Sequence, residues 1–220
     1  MRVLLYGGTF DPPHNGHMNN LRAAAARVRP DQVVVMPAGV PPHKAASATP
    51  AALRLEMCRC FYALSGSPGL GRITVSDWEI RQAAGGRRNY TVLTLEMLAR
   101  AYPGATLYLA IGSDMLEGFT AWYRWQDILH LARLVVVSRE VGDDPALHAA
   151  ARSLDPGGGR ILLAPAAALP MASSQLRRRL AAGEDCGGAL PDSVRQVIER
   201  EGLYTAPEPP ESPRRCRHPE

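Results

Sequence analysis

His14 and His17 lie in a loop rich in glycine and proline, Gly7-Gly8-Thr9-Phe10-Asp11-Pro12-Pro13-His14-Asn15-Gly16-His17. Glycine lets backbone N–H groups approach a phosphate closely, proline stiffens the approach to a helix, and a helix N-terminus favours anions. If the turn is helical, the two imidazoles are neighbours on one face. A phosphate cradle is one reading of this stretch. A surface loop that happens to carry histidines is a second. A metal site through His14, His17 and Asp11 is a third, and it finds no further ligand at suitable spacing. A dinucleotide fingerprint is excluded, because no G-x-G-x-x-G is present.

Further residues of chemical interest follow at intervals. Lys44, after Pro41-Pro42-His43, offers a point charge to an anion or is a solvated loop lysine. Asp114, in Ile111-Gly112-Ser113-Asp114, stands where it would cap a following helix. Trp122, Tyr123 and Trp125 form an aromatic cluster, of which Trp125 reads as core. In Met171-Ala172-Ser173-Ser174-Gln175-Leu176-Arg177, the serines read as helix caps, and an uncapped amide turn followed by Arg177 would make an anion site. Arg178 and Arg179 read as a solvated face.

Such residues need a scaffold. Short apolar runs at residues 2–6, 33–36, 73–75, 106–111, 134–137 and 160–163 read as strands. Helical spacing at residues 16–28, 51–64, 92–100 and 125–132 places helices between them. Near-continuous apolar strands such as Val33-Val34-Val35 suit a parallel sheet covered on both faces, with right-handed crossovers. The expected fold is therefore α/β, a Rossmann-like, doubly wound, mostly parallel sheet in a single domain with C-terminal helices. Ligands of such sheets bind beyond the carboxyl ends of the strands, where the histidine loop falls. Residues 1–205 form the expected domain. Residues 206–220 hold five prolines, charges and no apolar run, and read as a disordered tail.

Composition narrows the function classes. A chain of 220 residues with 46% hydrophobic content can bury a full core. Its net charge of +4 nearly vanishes without Arg214, Arg215 and Arg217 of the proline-rich terminus, which gives little support to broad nucleic-acid binding and leaves a small phosphate-bearing partner open. Cys58, Cys60, Cys186 and Cys216 form no Cys-x-x-Cys pair and read as free thiols of a reducing cytoplasm. The apolar run at residues 3–6 is far short of a signal sequence or a membrane span.

The eleven-residue string from Gly7 to His17 resembles the signature of bacterial nicotinate-nucleotide adenylyltransferases, within the wider H-x-G-H nucleotidyltransferases. Pro41-Pro42-His43-Lys44 is similar to that family's second-loop motif. Residues 171–177 are similar to its I-S-S-T-x-I-R helix start, and the motifs follow in the family's order from Arg2 to about Tyr204. The resemblance implies adenylyl transfer from ATP to nicotinate mononucleotide, giving deamido-NAD and pyrophosphate in the cytoplasm. Mg²⁺ would be carried by the phosphates, with no protein metal site and no nucleic-acid or membrane partner. It implies that Gly7, Gly8, Thr9, Phe10, His14 and His17 surround the ATP phosphates, with the histidines, Lys44 and Arg177 at the reacting centre. Gly112 and Asp114 would lie at the ribose, and Ser173 and Ser174 at the phosphates. Trp122 would stack on the pyridine ring, with backbone N–H groups near Tyr123, Tyr90 and Thr91 on the nicotinate carboxylate.

This chain departs from the pattern at Leu93, where the family has a carboxylate, at Ala172 in place of a serine, and in a longer loop before Tyr90. The alternatives are the same chemistry on nicotinamide mononucleotide, a catalytically idle nucleotide-binding sensor, and, more remotely, a metal-dependent hydrolase. A homo-oligomer is left open.

Overall fold

The computed structural model describes residues 1–40, 49–138, 145–167, 169 and 171–205. Lys44 and His43, together with residues 206–220 and Cys216, lie outside the described residues.

Along the chain, β1 (Arg2–Gly8) leads through the histidine loop into α1 (Asn15–Val28), and β2 (Gln32–Pro37) precedes α2 (Ala51–Met57). A 3₁₀ stretch (Cys58–Leu64), β3 (Arg72–Val75), α3 (Trp78–Ala84) and α4 (Thr91–Ala101) follow. The second half carries β4 (Thr106–Gly112), α5 (Ser113–Leu116), α6 (Trp125–Leu131), β5 (Ala132–Ser138), α7 (Pro145–Leu154), β6 (Ile161–Pro165), α8 (Ser173–Ala181) and α9 (Asp192–Glu201). The six strands form one sheet in the order β3-β2-β1-β4-β5-β6, and every neighbouring pair is parallel. The expected strands are all present, and the sheet is wholly rather than mostly parallel.

The four inner strands, β2, β1, β4 and β5, are apolar on both faces because both are covered. Within β2, Val33 and Val35 join a core with α1, the 3₁₀ stretch, α8 and α9, whereas Val34 and Met36 join a second core with α4, α6 and α7. In β1, Leu4 and Tyr6 face the first core, and Val3 and Leu5 the second. The period of two thus sorts side chains between layers rather than between core and water.

One expected helix is broken. The apolar spacing predicts a single helix over residues 51–64, but the chain tightens to 3₁₀ geometry from Cys58. Cys58, Phe61 and Leu64 are then spaced by three residues, and all are essentially fully buried. A three-residue turn stacks these side chains on one line against the sheet, which an α-helix would fan out. Burial also pushes both thiols up, Cys58 well above its usual range and Cys60 to about 12. Together with Cys186 they are buried free thiols.

Chain order reverses between β1 and β4, so their carboxyl ends open the crevice where doubly wound sheets bind ligands. The loop after β1, the start of α5 after β4, and the starts of α4 and α8 converge on that end of the sheet.

Candidate active site

The loop after β1 is shaped by close contacts at its glycines. A Cβ on Gly8 would come within 2.9 Å of the Phe10 ring, which folds back over it with φ of 49° and is 1% exposed. Phe10 packs edge-on against Phe61 and His17, with centroids 5.3 and 5.1 Å apart. The Asp11-Pro12 peptide is cis.

His14 is the N-cap of α1 and His17 is its third residue, and they cap one another. His17 N–H donates to His14 Nδ1 at 3.3 Å, and His14 N–H donates to His17 Nδ1 at 3.2 Å. This is a capping box with imidazole in both roles, and the rings stack at 3.7 Å. Only an unprotonated ring nitrogen accepts a backbone N–H, so each neutral ring carries its proton on Nε2. The helix start thus sets both tautomers and turns two histidines into adjacent N–H donors at the positive end of the helix dipole. Gly16 is required here: a Cβ would approach His14 Nδ1 to 2.9 Å. His14 is buried and His17 half-buried.

The metal reading of this loop fails on geometry. Both Nδ1 atoms accept backbone N–H groups, and the Asp11 carboxylate accepts the Tyr204 hydroxyl at 2.6 Å with Arg177 Nη1 3.9 Å away. Burial and the neighbouring Asp11 raise the Tyr204 pKa, so the phenol stays protonated as the donor. The surface-loop reading fails as well, since Asp11 and His14 are almost fully buried.

At α8, the serines are not the cap. Ala172 is the N-cap and has no side-chain bond to offer, so Ser173 and Ser174 occupy the first turn of the helix. Ser173 Oγ instead donates to the Pro12 carbonyl at 3.0 Å, and Arg177 Nη1 donates to the Asp11 carbonyl. The sequence motif leads one to expect a capped helix. The structure shows a helix start without a side-chain cap, docked on the loop after β1, which suits an anion better.

Asp114 is likewise not an N-cap. That position belongs to Gly112, and the exposed Asp114 carboxylate folds back so that a Cβ on Gly112 would lie 2.4 Å from its Oδ1. This places an acid beside the end of β4, across the crevice from β1.

At the other end, Tyr90 is the N-cap of α4, Thr91 opens that helix, and the Tyr90 and Tyr123 rings meet at 4.5 Å. Two segments distant in the chain, which the resemblance assigns to a single carboxylate, are therefore brought together. Trp122 is half-buried and packs on Phe119 at 5.4 Å, while Trp125 meets the same phenyl ring at 6.2 Å. Leu93 and the longer loop go elsewhere. Leu93, Arg87 and Arg88 line a groove of about 150 Å³ with Trp78, Glu96 and Arg100, along one flank of α4. The end of that loop is anchored: Asn89 accepts from Val40 N–H at 2.9 Å and donates to the Glu79 carbonyl at 3.0 Å. Glu79 in turn accepts the Thr94 hydroxyl at 2.6 Å, and burial pushes its carboxyl up to about 7.

Sequence reading missed Arg54, Asn89 and Tyr204. Arg54 is 2% exposed and donates to the carbonyls of Thr9, Ala38 and Gly39. Nothing in the local pattern marks it, since its partners are backbone atoms of two other loops.

Residues 5–179 match the cytidylyltransferase-like family. The chain is 37% identical over 217 residues to a probable nicotinate-nucleotide adenylyltransferase of Laribacter hongkongensis, covering 93% of this chain and 95% of that one. It is 36% identical to one of Neisseria meningitidis serogroup B, covering 92% and 98%. In fold it is similar to a Plasmodium falciparum nicotinic acid mononucleotide adenylyltransferase solved with NaAD, with a TM-score of 0.69 at 16% identity, over 93% and 97% of the two chains. Matched along nearly its whole length and carrying the motif geometry described above, this chain belongs to the cytidylyltransferase-like family, among its nicotinate-nucleotide adenylyltransferases.

Proposed function

We propose that the protein transfers the adenylyl group of ATP to nicotinate mononucleotide, forming deamido-NAD and pyrophosphate. The observation that carries this reading is the reciprocal capping of His14 and His17 beyond the carboxyl end of β1, which leaves the far ring nitrogen of each as an N–H donor and so supports a pair of donors to phosphate. The acceptor's 5′-phosphate oxygen attacks the α-phosphorus in line. An O–P bond forms, the bond from the α-phosphorus to the bridging oxygen breaks, and pyrophosphate leaves. The attacking oxygen is already anionic, so no protein nucleophile is needed. The enzyme's work is to align two phosphates that repel and to stabilise the charge that develops.

In this reading His14 and His17 donate to the α-phosphate and Arg177 to the leaving pyrophosphate, with Lys44 adding a point charge. The N–H groups of Gly7, Gly8, Thr9 and Phe10, and those of Ser173 and Ser174, contact the triphosphate. Gly112 and Asp114 hold the ribose. Tyr90, Thr91, Trp122 and Tyr123 hold the pyridine and its carboxylate. The loop is rich in donors, and its one carboxylate, Asp11, is taken by Tyr204, which fits Mg²⁺ held by the ATP phosphates rather than by protein ligands. When bound, Mg²⁺ neutralises charge on the pyrophosphate. No described helix is long and apolar enough to cross a membrane. With its buried free thiols, the chain fits a cytoplasmic site of action.

A pyrophosphate-release assay with Mg-ATP and each pyridine mononucleotide tests the reading. Charge-assisted bonds to a carboxylate exceed those to a neutral amide, whose NH₂ would face N–H donors, so kcat/KM should favour the nicotinate form by roughly 10² or more. Equal values or an amide preference would overturn the acceptor, and no release with either would leave a nucleotide-binding sensor.

A further inference from the structure

Arg54 lies in α2, outside every motif and outside the proposed contacts with substrate. It is buried as deeply as the core residues around it. A buried guanidinium is costly unless its donors are taken, and here they are taken by backbone carbonyls. Nη1 donates to the carbonyls of Thr9 at 2.9 Å and Ala38 at 2.7 Å, and Nη2 to that of Gly39 at 3.4 Å. Among the described residues, Nε finds no partner. Desolvation lowers the Arg54 pKa, opposed chiefly by the nearby Asp11.

Those carbonyls belong to two different loops. Thr9 lies in the loop after β1, which carries the histidine pair, and Ala38 and Gly39 follow the end of β2. The planar fork spans both, and an ammonium could not hold all three carbonyls in the same geometry. A second tie runs at the edge of the same cluster. Tyr204 donates to Asp11 in the first loop and receives the Thr49 hydroxyl at 3.4 Å, where the second loop ends. If only core packing mattered, an apolar side chain of similar volume would be no less stable than a buried charge with an unbonded N–H.

We propose that Arg54 is a positioning residue for adenylyl transfer, holding the loop after β1 in register with Ala38 and Gly39 at the end of β2 so that the histidine pair keeps its place at the triphosphate. This rests on the function proposed above. Arg54→Lys and Arg54→Met should raise KM for ATP and lower kcat, each by about tenfold, since a displacement near 1 Å costs up to about 10² in rate. KM for the mononucleotide should not change. A purely structural role would reduce the folded fraction alone, lowering kcat with both KM values intact, and that result, or wild-type constants, overturns the proposal.

If both Arg54 variants fail to fold, Tyr204→Phe decides. It removes one hydroxyl from the same cluster and should raise KM for ATP severalfold, and an unchanged value then overturns the proposal. Hydrogen exchange with ATP alone separates this inference from the proposed reaction. ATP should protect residues 7–17 and the amides of residues 38–40 together in the wild type, and residues 7–17 alone in Arg54→Lys or, failing that, Tyr204→Phe. Joint protection in an enzyme that releases no pyrophosphate would sink the reaction and keep the positioning role, whereas joint protection in the variant would sink the positioning role.

Discussion

The two ends of the crevice are built differently. At the end proposed to take the phosphates, His14 and His17 cap each other locally, and the bonds of Ser173 to Pro12, Tyr204 to Asp11, and Arg54 to the carbonyls of two loops join segments distant in the sequence. At the end proposed to take the pyridine, Tyr90 and Tyr123 meet by ring contact, Tyr123 is 50% exposed, and neither α4 nor α6 has a side-chain cap. Charge that develops during phosphoryl transfer is stabilised best by dipoles that need no reorganisation. A flat aromatic acceptor can instead be gripped by rings and backbone N–H groups on a looser frame. Rate should therefore depend on the first end and acceptor choice on the second.

The largest expected effect is at the phosphate end. His17→Ala removes one preorganised donor, and kcat should fall by roughly 10² to 10³. It also removes half of the capping box, which costs about 1 kcal/mol and lowers Tm by about 2–4 °C. Wild-type turnover in a folded variant would remove the histidine pair from the chemistry and with it the contrast between the ends.

Trp122→Ala sharpens the comparison from the other side. Loss of a stacked ring should raise KM for the mononucleotide about tenfold and leave KM for ATP alone. An equal rise in both would show that the ends are not independent.

The frame beneath the pyridine end should also respond to pH. Burial raises the Glu79 carboxyl to about 7, above its unfolded value, so the folded state favours the protonated form. Its stabilising contribution is complete below the unfolded pKa and is lost as pH rises through about 7. Tm should fall by a few degrees between pH 5 and pH 8, and Glu79→Gln should flatten that part of the profile. A profile unaltered by the substitution would mean that Glu79 ionises without cost to the fold.

The smallest effect is expected at the C-terminus. A chain ending at Thr205 should match the full chain in activity and Tm, because residues 206–220 lack the apolar surface to offset their ordering entropy. A chain ending at Leu203 should be weaker in both, because it loses the Tyr204 bond to Asp11. A large loss in the longer chain would show that the tail docks on the body or on another subunit.

Periodicity and local chemistry determined a good deal by themselves. Apolar runs marked all six strands, most clearly the four inner ones, because a sheet covered on both faces leaves them no polar alternation to confuse the signal. Helix α1 was legible from its apolar spacing and the nearness of His14 to His17 from their three-residue interval, whereas their reciprocal capping showed only in the structure. Leu93 was legible as a substitution, but only the fold showed that it lines a flank of α4 beside Arg87 and Arg88. Helix α3 buries no residue, so it has no apolar stripe to read. The roles of Arg54, Asn89 and Tyr204 were decided by tertiary structure alone. Their partners lie 45, 49 and 193 positions away, and a bond across such a separation leaves no spacing in the chain, since it exists only once the sheet has brought the loops together.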